Sequence, residues 1–433
     1  MNSIEPYLKN RTELKAWQIE MQEVHSEEIY MVSNKTEAIR NTSVTRNTVG
    51  VFLDQKENEK DSMGESSVRF DGMPDTWKED IDGAIESASY IKNPAYELSE
   101  KWLPEKEKTR YTYDASIHKN AQELIFKIEE TARRFCEKHK KRTSLSYLET
   151  HFKTRHRRLS NSKGLDLLYP QSEVLYDFSL LSQDREHEIQ VFMTRNFFQD
   201  LPLYKLLEDE AAKLEQIVTA VLPPTGNFSV VLAEEALDTL FDFHIYQLSG
   251  EALFQDISIW KEKDDIYDGK KPVEQLNLST SPEFQGCSGS ICCDLLGYET
   301  KPVDLITDGV VTNFAIDGKY SHLLQKQITS GYTNTIVGSG ETAYEDFFTN
   351  GTIELLRFST FSPDPISGNF SGEIRLGFIH KNGKRIPIRQ GSVTGNIKDG
   401  LLTCNYSKER VRRQNYIGPA GVHFESLTLA GDV

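Results

Sequence analysis

The chain has 433 residues, of which 38% are hydrophobic and 27% charged, an ordinary balance for a globular protein that can bury a large core without disulfides. Its net charge of −16 argues against a general affinity for nucleic acid, because phosphate binding needs clustered Lys and Arg. No apolar run approaches the roughly 18 residues of a membrane span. The N-terminal stretch, MNSIEPYLKNRTELK, has no apolar segment typical of a secretory signal.

The first hundred residues predict three strands and a helix. Weak alternation at 27–39 predicts a strand followed by a turn, and residues 50–55 and 66–72 predict two more strands around a charged hairpin tip. From 75 to 91 apolar residues recur at helical spacing, and Asn93-Pro94 should end this helix.

The next segment predicts a helix and then antiparallel strands. The helix, residues 118–141, has an apolar stripe. The period then changes to two in 144–152, 157–183 and 187–197, with a tight turn at Asn161 to Gly164.

A break after the next helix divides the chain into two domains. The helix is predicted over about Tyr204 to Val221, and LPPTGN (222–227) cannot continue it because of Pro223-Pro224. We therefore expect an N-terminal α+β domain, residues 1–222, and a C-terminal, β-rich α+β domain, residues 223–433. The second begins with a strand, FSVVLA, and a helix, and ends in hairpin signals such as HKNGKR and GSVTGN. The expected class is α+β, with mixed, mainly antiparallel sheets and packed helices.

One histidine raises the question of a metal site. His244 lies on the apolar face of a helix predicted at 236–250, ALDTLFDFHIYQLSG. A helical metal pair needs a second ligand, usually four residues away, but those positions are Leu240 and Leu248. His244 is therefore a candidate metal ligand without a local partner, and the pattern favours a packed, hydrogen-bonded core histidine instead.

The other ligand patterns also favour structural roles. His151 and His156 differ by an odd offset of five positions on a predicted strand, so their side chains should lie on opposite faces. Cys287, Cys292 and Cys293 lack the further Cys or His that a closed zinc site requires, which favours buried or loop thiols.

The cysteine count bears on the cellular compartment. An odd number of cysteines, in a chain without a secretory signal, indicates reduced thiols and a cytoplasmic location. The five are Cys136, Cys287, Cys292, Cys293 and Cys404.

Two catalytic motifs are incomplete, and a carboxylate pair has another explanation. GCSGS (286–290) resembles a nucleophile elbow but ends in Ser290 instead of glycine. GSGETA (338–343) lacks the lysine of a phosphate-binding loop. Glu234 and Glu235, in the first turn of the predicted helix, should complement its dipole.

Several segments resemble the TldD/PmbA family. Residues 364–402, DPISGNFSGEIRLGFIHKNGKRIPIRQGSVTGNIKDGLL, are similar to its signature of an Asn-Pro-x-Thr-Gly-Asp-Phe-Ser stretch, a hairpin, a Pro-Val strand and a Gly-Asn before a short helix. The ending GPAGVHFESLTLAGDV is similar to the family's closing strand. Upstream, RRLSNSKGLDL, LITDGVVTNFAIDGKYSH and NPAYEL resemble further family segments in the same order. The resemblance therefore covers most of the chain.

A departure from the family pattern decides the expected role. In the TldD branch, a helix after the VV(L/F) strand carries His-Glu-x-x-x-His, and a later cysteine completes a zinc site whose glutamate activates water. The corresponding segment here, VVLAEEALDTLFDFHIYQLSG, has one histidine and no His-Glu pair. The chain is thus similar to the PmbA (TldE) branch, for which no catalytic, metal-binding or cofactor-binding residue is expected.

The resemblance implies a subunit without its own active site in a heterodimeric, cytosolic metallopeptidase. Its partner would be a TldD-like subunit that carries His-Glu-x-x-x-His and the zinc, and the pair would degrade or mature unfolded peptides. One alternative is a stand-alone homodimer that binds peptides or a protein. Another, from the family's older label, is a modulator of DNA gyrase.

Overall fold

The structure, a computed structural model, describes residues 3–57, 60–102, 111–200 and 202–431. Of the chain, 23% is helical and 44% lies in strands, so the α+β class expected from the sequence is confirmed. No helix in these ranges is both long and apolar enough to cross a membrane.

The N-terminal half forms one antiparallel sheet. Its strands are β1 (Leu14–Val32), β2 (Lys35–Glu57), β3 (Lys60–Asp71), β4 (Asn93–Pro94), β5 (Thr143–Asn161), β6 (Asp166–Ser182) and β7 (Glu188–Arg195). Their order across the sheet is β4-β3-β2-β1-β5-β6-β7. The short β4 pairs with β3 only at Ser62 and Met63, so most of β3 borders the sheet without a further strand among the described residues.

The α-helices described in this half are α1 (Ile4–Lys9), α2 (Trp77–Ser89), α3 (Ala115–His139) and α4 (Leu203–Thr219). Helix α3 packs on β1 and β5, and α4 packs on β6 and β7. The apolar stripe predicted for α3, which includes Leu124 and Ile128, is buried against strand residues such as Phe152. The core that α3 and α4 share also contains Leu356 and Phe378 of the C-terminal half. The two halves are therefore joined by a common core.

The C-terminal half forms two further sheets. Their strands are β8 (Gly226–Ala233), β9 (Leu278–Ser281), β10 (Val303–Thr307), β11 (Val310–Val311), β12 (Asn334–Val337), β13 (Ile353–Pro363), β14 (Asn369–Lys381), β15 (Lys384–Ile388), β16 (Ser392–Asn396), β17 (Asn405–Tyr406), β18 (Arg410–Arg413), β19 (Tyr416–Pro419) and β20 (Gly421–Ala430). One sheet has the order β11-β10-β9-β12-β19-β18, and the other β13-β8-β20-β16-β14-β15, with β17 beside β20. Because β13 also pairs with β14, five strands close into a ring.

Four short helices complete this half: α5 (Asp242–Gln247), α6 (Gly250–Phe254), α7 (Gly318–Leu324) and α8 (Ile397–Gly400). The expected domain division falls between α4 and β8 and stays a prediction.

The predicted elements agree with the structure best where apolar residues are periodic. All three predicted N-terminal helices are present, and HKNGKR forms the hairpin between β14 and β15. GSVTGN, predicted as a turn, lies mostly in β16. The predicted strand at 27–39 begins earlier, at Leu14, and is part of a hairpin. Part of the predicted charged hairpin tip, residues 58 and 59, lies outside the described residues.

Candidate functional site

A cleft of about 760 Å³ lies between the N-terminal sheet and loops of the C-terminal half. One wall of the cleft is formed by strands β1, β2, β3, β5 and β6. The other wall is formed by residues 291–296, 317–319 and 331–332, of which 318 and 319 begin a short helix. The residues that line the cleft include Gln18, Glu20, Glu65, Ser66, Ser67, Tyr96, Arg157, Tyr169, Cys293, Asp294, Lys319 and Tyr332. A cleft of this volume between two parts of a protein is a common form of ligand-binding site.

Hydrogen bonds between the N-terminal and C-terminal halves lie beside the cleft. Gln18 of β1 donates from Nε2 to the Leu295 carbonyl at 2.8 Å, and the Ser99 amide donates to the Leu296 carbonyl at 3.1 Å. Trp102 donates from Nε1 to the Gly297 carbonyl at 2.7 Å. These bonds fix the loop at 294–297 over the end of the sheet.

Charged groups line the sheet side of the cleft in paired form. The Arg157 Nε donates to Glu20 Oε1 at 2.9 Å, and its guanidinium lies 5.2 Å from the Tyr169 ring centroid. The Tyr96 hydroxyl donates to Glu65, and burial together with this carboxylate raises the pKa of the phenol. The wall therefore offers aromatic faces and hydrogen-bonding groups without a strong excess of one charge.

Strand β3 brings its backbone edge to the cleft. Glu65, Ser66 and Ser67 line the cleft and lie in the part of β3 that has no strand partner opposite β2 among the described residues. Such an edge presents N–H and C=O groups to which an extended peptide can add as a further strand.

Two adjacent cysteines lie in the opposite wall. The Sγ atoms of Cys292 and Cys293 are 3.9 Å apart, and Cys293 Sγ lies 3.8 Å from the Tyr169 hydroxyl. Both residues are buried, and they pack with Leu159 and Leu165 in a small apolar cluster that joins the two halves. Cys287 is also buried and forms no disulfide.

The segment after β8 departs from the predicted continuous helix at 236–250. A 3-10 helix at Glu234–Asp238, α5 and α6 replace it. Glu234 begins the segment with φ at 46°, outside the helical region. Ser249, in an extended conformation, caps α6 by accepting from the Ala252 amide at 3.1 Å. The prediction of one continuous helix was wrong here, because the helix is interrupted between Asp238 and Asp242 and again between Gln247 and Gly250.

His244 is enclosed in the apolar core of the C-terminal half. Its side chain is fully buried and stacks on Trp260, with ring centroids 5.8 Å apart, and Phe243 meets it edge-on at 5.3 Å. Burial lowers the pKa of His244 to about 3. Neither ring nitrogen has a hydrogen-bond partner among the described residues, so the histidine packs but lacks the hydrogen bond we expected.

Among the described residues, the side chains of three possible metal ligands come within 4.8 Å of one another in an exposed turn: Asp184, Glu186 and His187. His244 is not part of this group. The His151 ring lies 5.7 Å from the Tyr30 ring, and the His156 ring lies 6.0 Å from the Tyr113 ring.

Carboxylates beside α5 form a polar site that the sequence did not reveal. Arg413 donates from Nε and a terminal nitrogen to Asp238 at 2.8 and 3.0 Å. Burial, and secondarily the charge of Asp238, raises the pKa of Asp242 to about 6. Asp242 in turn contributes to the raised pKa of Tyr332, a residue of the cleft, so the cleft and this segment are neighbours. No local pattern could have shown the pair, because Asp238 and Arg413 are 175 residues apart.

Glu234 and Glu235 lie in the first turn of the 3-10 helix, as predicted, and have a further role that the sequence did not show. They bind Arg357 of β13, whose guanidinium also contacts Glu210 of α4 at 2.5 Å. Lys213 closes the cluster, with Nζ 2.7 Å from Glu234 and 3.1 Å from Glu210. This buried ionic cluster connects α4 to the ring of strands and has no opening to the cleft in the described residues.

The comparisons with known proteins come to the same architecture. Residues 225–431 match the family described as PmbA/TldA metallopeptidase C-terminal domain. The whole fold is similar to that of TldE from Thermococcus kodakarensis, with a TM-score of 0.77, 17% identity and 99% of both chains covered. It is also similar to a protein from Bacteroides thetaiotaomicron described as a candidate modulator of DNA gyrase, with a TM-score of 0.80, 17% identity and coverage of 99% of this chain and 97% of that one.

A relative found by sequence comparison matches a smaller part of the chain than the solved structures do. An uncharacterized protein of Methanocaldococcus jannaschii is 28% identical over 213 residues, which are 45% of this chain. The match spans about half of that relative, 49% of its length.

The class defined by these findings is an α+β protein in which a long-stranded N-terminal sheet and a C-terminal half with two sheets enclose a cleft. Residues 225–431 thus form a C-terminal domain of the PmbA/TldD type, which agrees with the resemblance of the sequence segments to the TldD/PmbA family.

Proposed function

We propose that this chain is the subunit without catalytic metal in a TldD/TldE-like heterodimeric metallopeptidase. The observation that carries the proposal is the segment after β8. Where the family resemblance places His-Glu-x-x-x-His, the chain has three short helical pieces and one histidine, fully buried on Trp260. A catalytic zinc needs three protein ligands and an open position, and His244 is in no group of three possible ligands among the described residues.

The cleft supports a role in holding the substrate. An extended peptide that adds to the edge of β3 at Glu65, Ser66 and Ser67 would be held mainly by backbone hydrogen bonds. Such bonds are available to any unfolded sequence, which suits a peptidase that degrades or matures unstructured peptides. The zinc and the activating glutamate would come from the TldD-like partner.

A reconstitution experiment tests the division of labour. The chain and a relative that carries His-Glu-x-x-x-His are purified alone and as a co-expressed complex, and hydrolysis of a fluorogenic, unstructured peptide is measured. We expect activity from the complex, its loss when a histidine of the partner's motif is replaced, and a change of no more than about twofold with His244→Phe in this chain. Hydrolysis by this chain alone, or loss of activity with a folded His244→Phe variant, would contradict the proposal.

The oligomeric state separates the main alternative. A homodimer of this chain that binds the peptide with full affinity, and does not associate with the relative in size-exclusion chromatography, would indicate a stand-alone binding protein. None of the five cysteines forms a disulfide, which supports the proposed reducing, cytoplasmic location. An effect of the isolated chain on DNA supercoiling would instead support the gyrase-modulator alternative, which its net charge of −16 does not favour.

A further inference from the structure

The adjacent cysteines in the cleft wall have a geometry that their sequence pattern did not predict. Side chains of neighbouring residues in extended backbone point to opposite sides. Cys292 and Cys293 instead bring their sulfurs to 3.9 Å, and both are less than 9% exposed. The Cys293 side of the pair borders the cleft, next to the Tyr169 hydroxyl.

The separation of the sulfurs suits a bridging cation better than a disulfide. Two zinc–sulfur bonds of about 2.3 Å that end on sulfurs 3.9 Å apart enclose an angle of roughly 115°, close to tetrahedral. A disulfide would require the sulfurs to approach to about 2.05 Å, and adjacent Cα atoms, about 3.8 Å apart, lie closer than the usual disulfide range of about 4.4–6.8 Å. Cation binding therefore needs less movement of the chain.

Polar groups surround the cysteine at the cleft. The Cys292 thiol donates to Cys293 Sγ, which lies 3.8 Å from the Tyr169 hydroxyl. The thiolate is the form that binds metal ions. The positive charge of Arg157 does not exclude a cation, because Glu20 neutralises it through a hydrogen bond of 2.9 Å.

We propose that Cys292 and Cys293 form a two-sulfur chelate for a thiophilic, zinc-like cation, with the cation's remaining coordination positions on the side of the cleft. Tyr169 supplies a further oxygen, 3.8 Å from Cys293 Sγ, and a carboxylate or thiol of a molecule in the cleft can complete the coordination. Cys287, which the sequence pattern grouped with the pair, is not a member of a three-ligand group in the described residues. The site is separate from the catalytic zinc assigned to the partner and does not depend on the proposed peptidase role.

The test uses Cd²⁺ with the full-length, reduced protein, because sulfur–cadmium coordination absorbs in the near ultraviolet. We expect one Cd²⁺ per chain, and binding weaker by about 100-fold or more in each of Cys292→Ser and Cys293→Ser, since loss of one linked ligand removes the chelate effect. Cys136→Ser, at a half-buried thiol elsewhere, is the matched control and should bind as the original chain does. Circular dichroism confirms that the variants are folded.

A second measurement needs no substitution. In the unaltered chain, Cd²⁺ should protect Cys292 and Cys293, but not Cys136, from alkylation by iodoacetamide, as mapped by mass spectrometry. Absence of Cd²⁺ binding, unchanged binding in either serine variant, or formation of a Cys292–Cys293 disulfide in place of Cd²⁺ binding would overturn the proposal. Loss of peptidase activity in the reconstituted complex bears only on the proposed function, so the two proposals fail independently.

Discussion

At the scale of single residues, the buried titratable groups are the ones whose environment differs most from what sequence patterns suggest. His244 was expected to pack with a hydrogen bond, and the structure shows packing on Trp260 alone. Arg357 was not singled out, yet it joins three carboxylates. Identity and spacing along the chain predict that a side chain is buried, but not its partners: the carboxylates that bind Arg357 lie more than a hundred residues away.

His244 should make the stability of the fold depend on pH. Its pKa is about 3 when folded and about 6.5 when unfolded, so the unfolded chain binds the proton first as the pH falls. The neutral ring is therefore fully compatible with the fold above about pH 6.5, and stability declines below it, by about 2 kcal/mol at pH 5. Urea midpoints at pH 7 and pH 5 measure this loss.

His244→Phe is the matched variant for that measurement. Phenylalanine keeps the contact with Trp260 and removes the titration, so the decline between pH 7 and pH 5 should be smaller by about 2 kcal/mol than in the original chain. The same decline in both proteins would show that His244 finds a hydrogen-bond partner or water in solution.

Arg357 should be far more important for stability than an exposed arginine. Replacement of Arg357 by Met would leave the buried carboxylate of Glu210 facing Glu234 and Glu235 with only Lys213 to balance them. Removal of one partner from a buried ion cluster costs about 3–5 kcal/mol. Arg133→Met, at an exposed helical pair with Glu129, is the control and should cost less than about 1 kcal/mol. Equal effects in chemical unfolding would contradict this assignment.

At the scale of elements, helices with an apolar stripe could be predicted, and interrupted segments could not. The stripe of α3 follows from its own sequence, because Leu124, Ile128 and Ala132 recur on one face. The first half of β1 was missed because its polar residues at 20–28 do not alternate with apolar ones, although all of them pair with β2. The segment 236–250 was predicted as one helix because its apolar spacing is helical, while the actual breaks depend on distant neighbours.

Gly250 shows one of those neighbours. A Cβ atom at this position would lie 2.6 Å from the Tyr320 Cβ of α7, so Gly250→Ala should destabilise the protein by about 1–3 kcal/mol through overpacking. Gly83→Ala, in the middle of α2 where a Cβ meets nothing, is the matched control and should stabilise by about 0.5–1 kcal/mol through helix propensity. Thermal unfolding of the two variants distinguishes a requirement for close packing from a general effect of glycine replacement.

At the scale of the whole molecule, the cleft could not be predicted, because it is made by contacts between distant parts of the chain. Gln18 and Leu295, which meet across it, are 277 residues apart. The resemblance to the family predicted the fold and showed that the metal motif is missing. The helices and strands were predicted from the residue patterns alone. The position of β3, with only the two-residue β4 beside it, follows only from the order of all seven strands.

A peptide that adds to β3 needs the N–H groups on the side of this strand that faces away from β2. Successive N–H groups of a strand point to opposite sides, so of Ser66 and Ser67 one donates away from β2 and the other lies toward it. Proline removes the N–H at either position. At the outward position it should weaken peptide binding by the complex about 3–10-fold, the value of one hydrogen bond, with little change in melting temperature.

Proline at the inward position is the matched control, because it disturbs the ladder with β2 and should lower the melting temperature instead. Binding is measured with an unstructured peptide and a partner whose catalytic glutamate has been replaced, so that hydrolysis does not intervene. If both proline variants bind the peptide as tightly as the original complex, the substrate does not add to β3. The sheet border would then serve only to close the cleft.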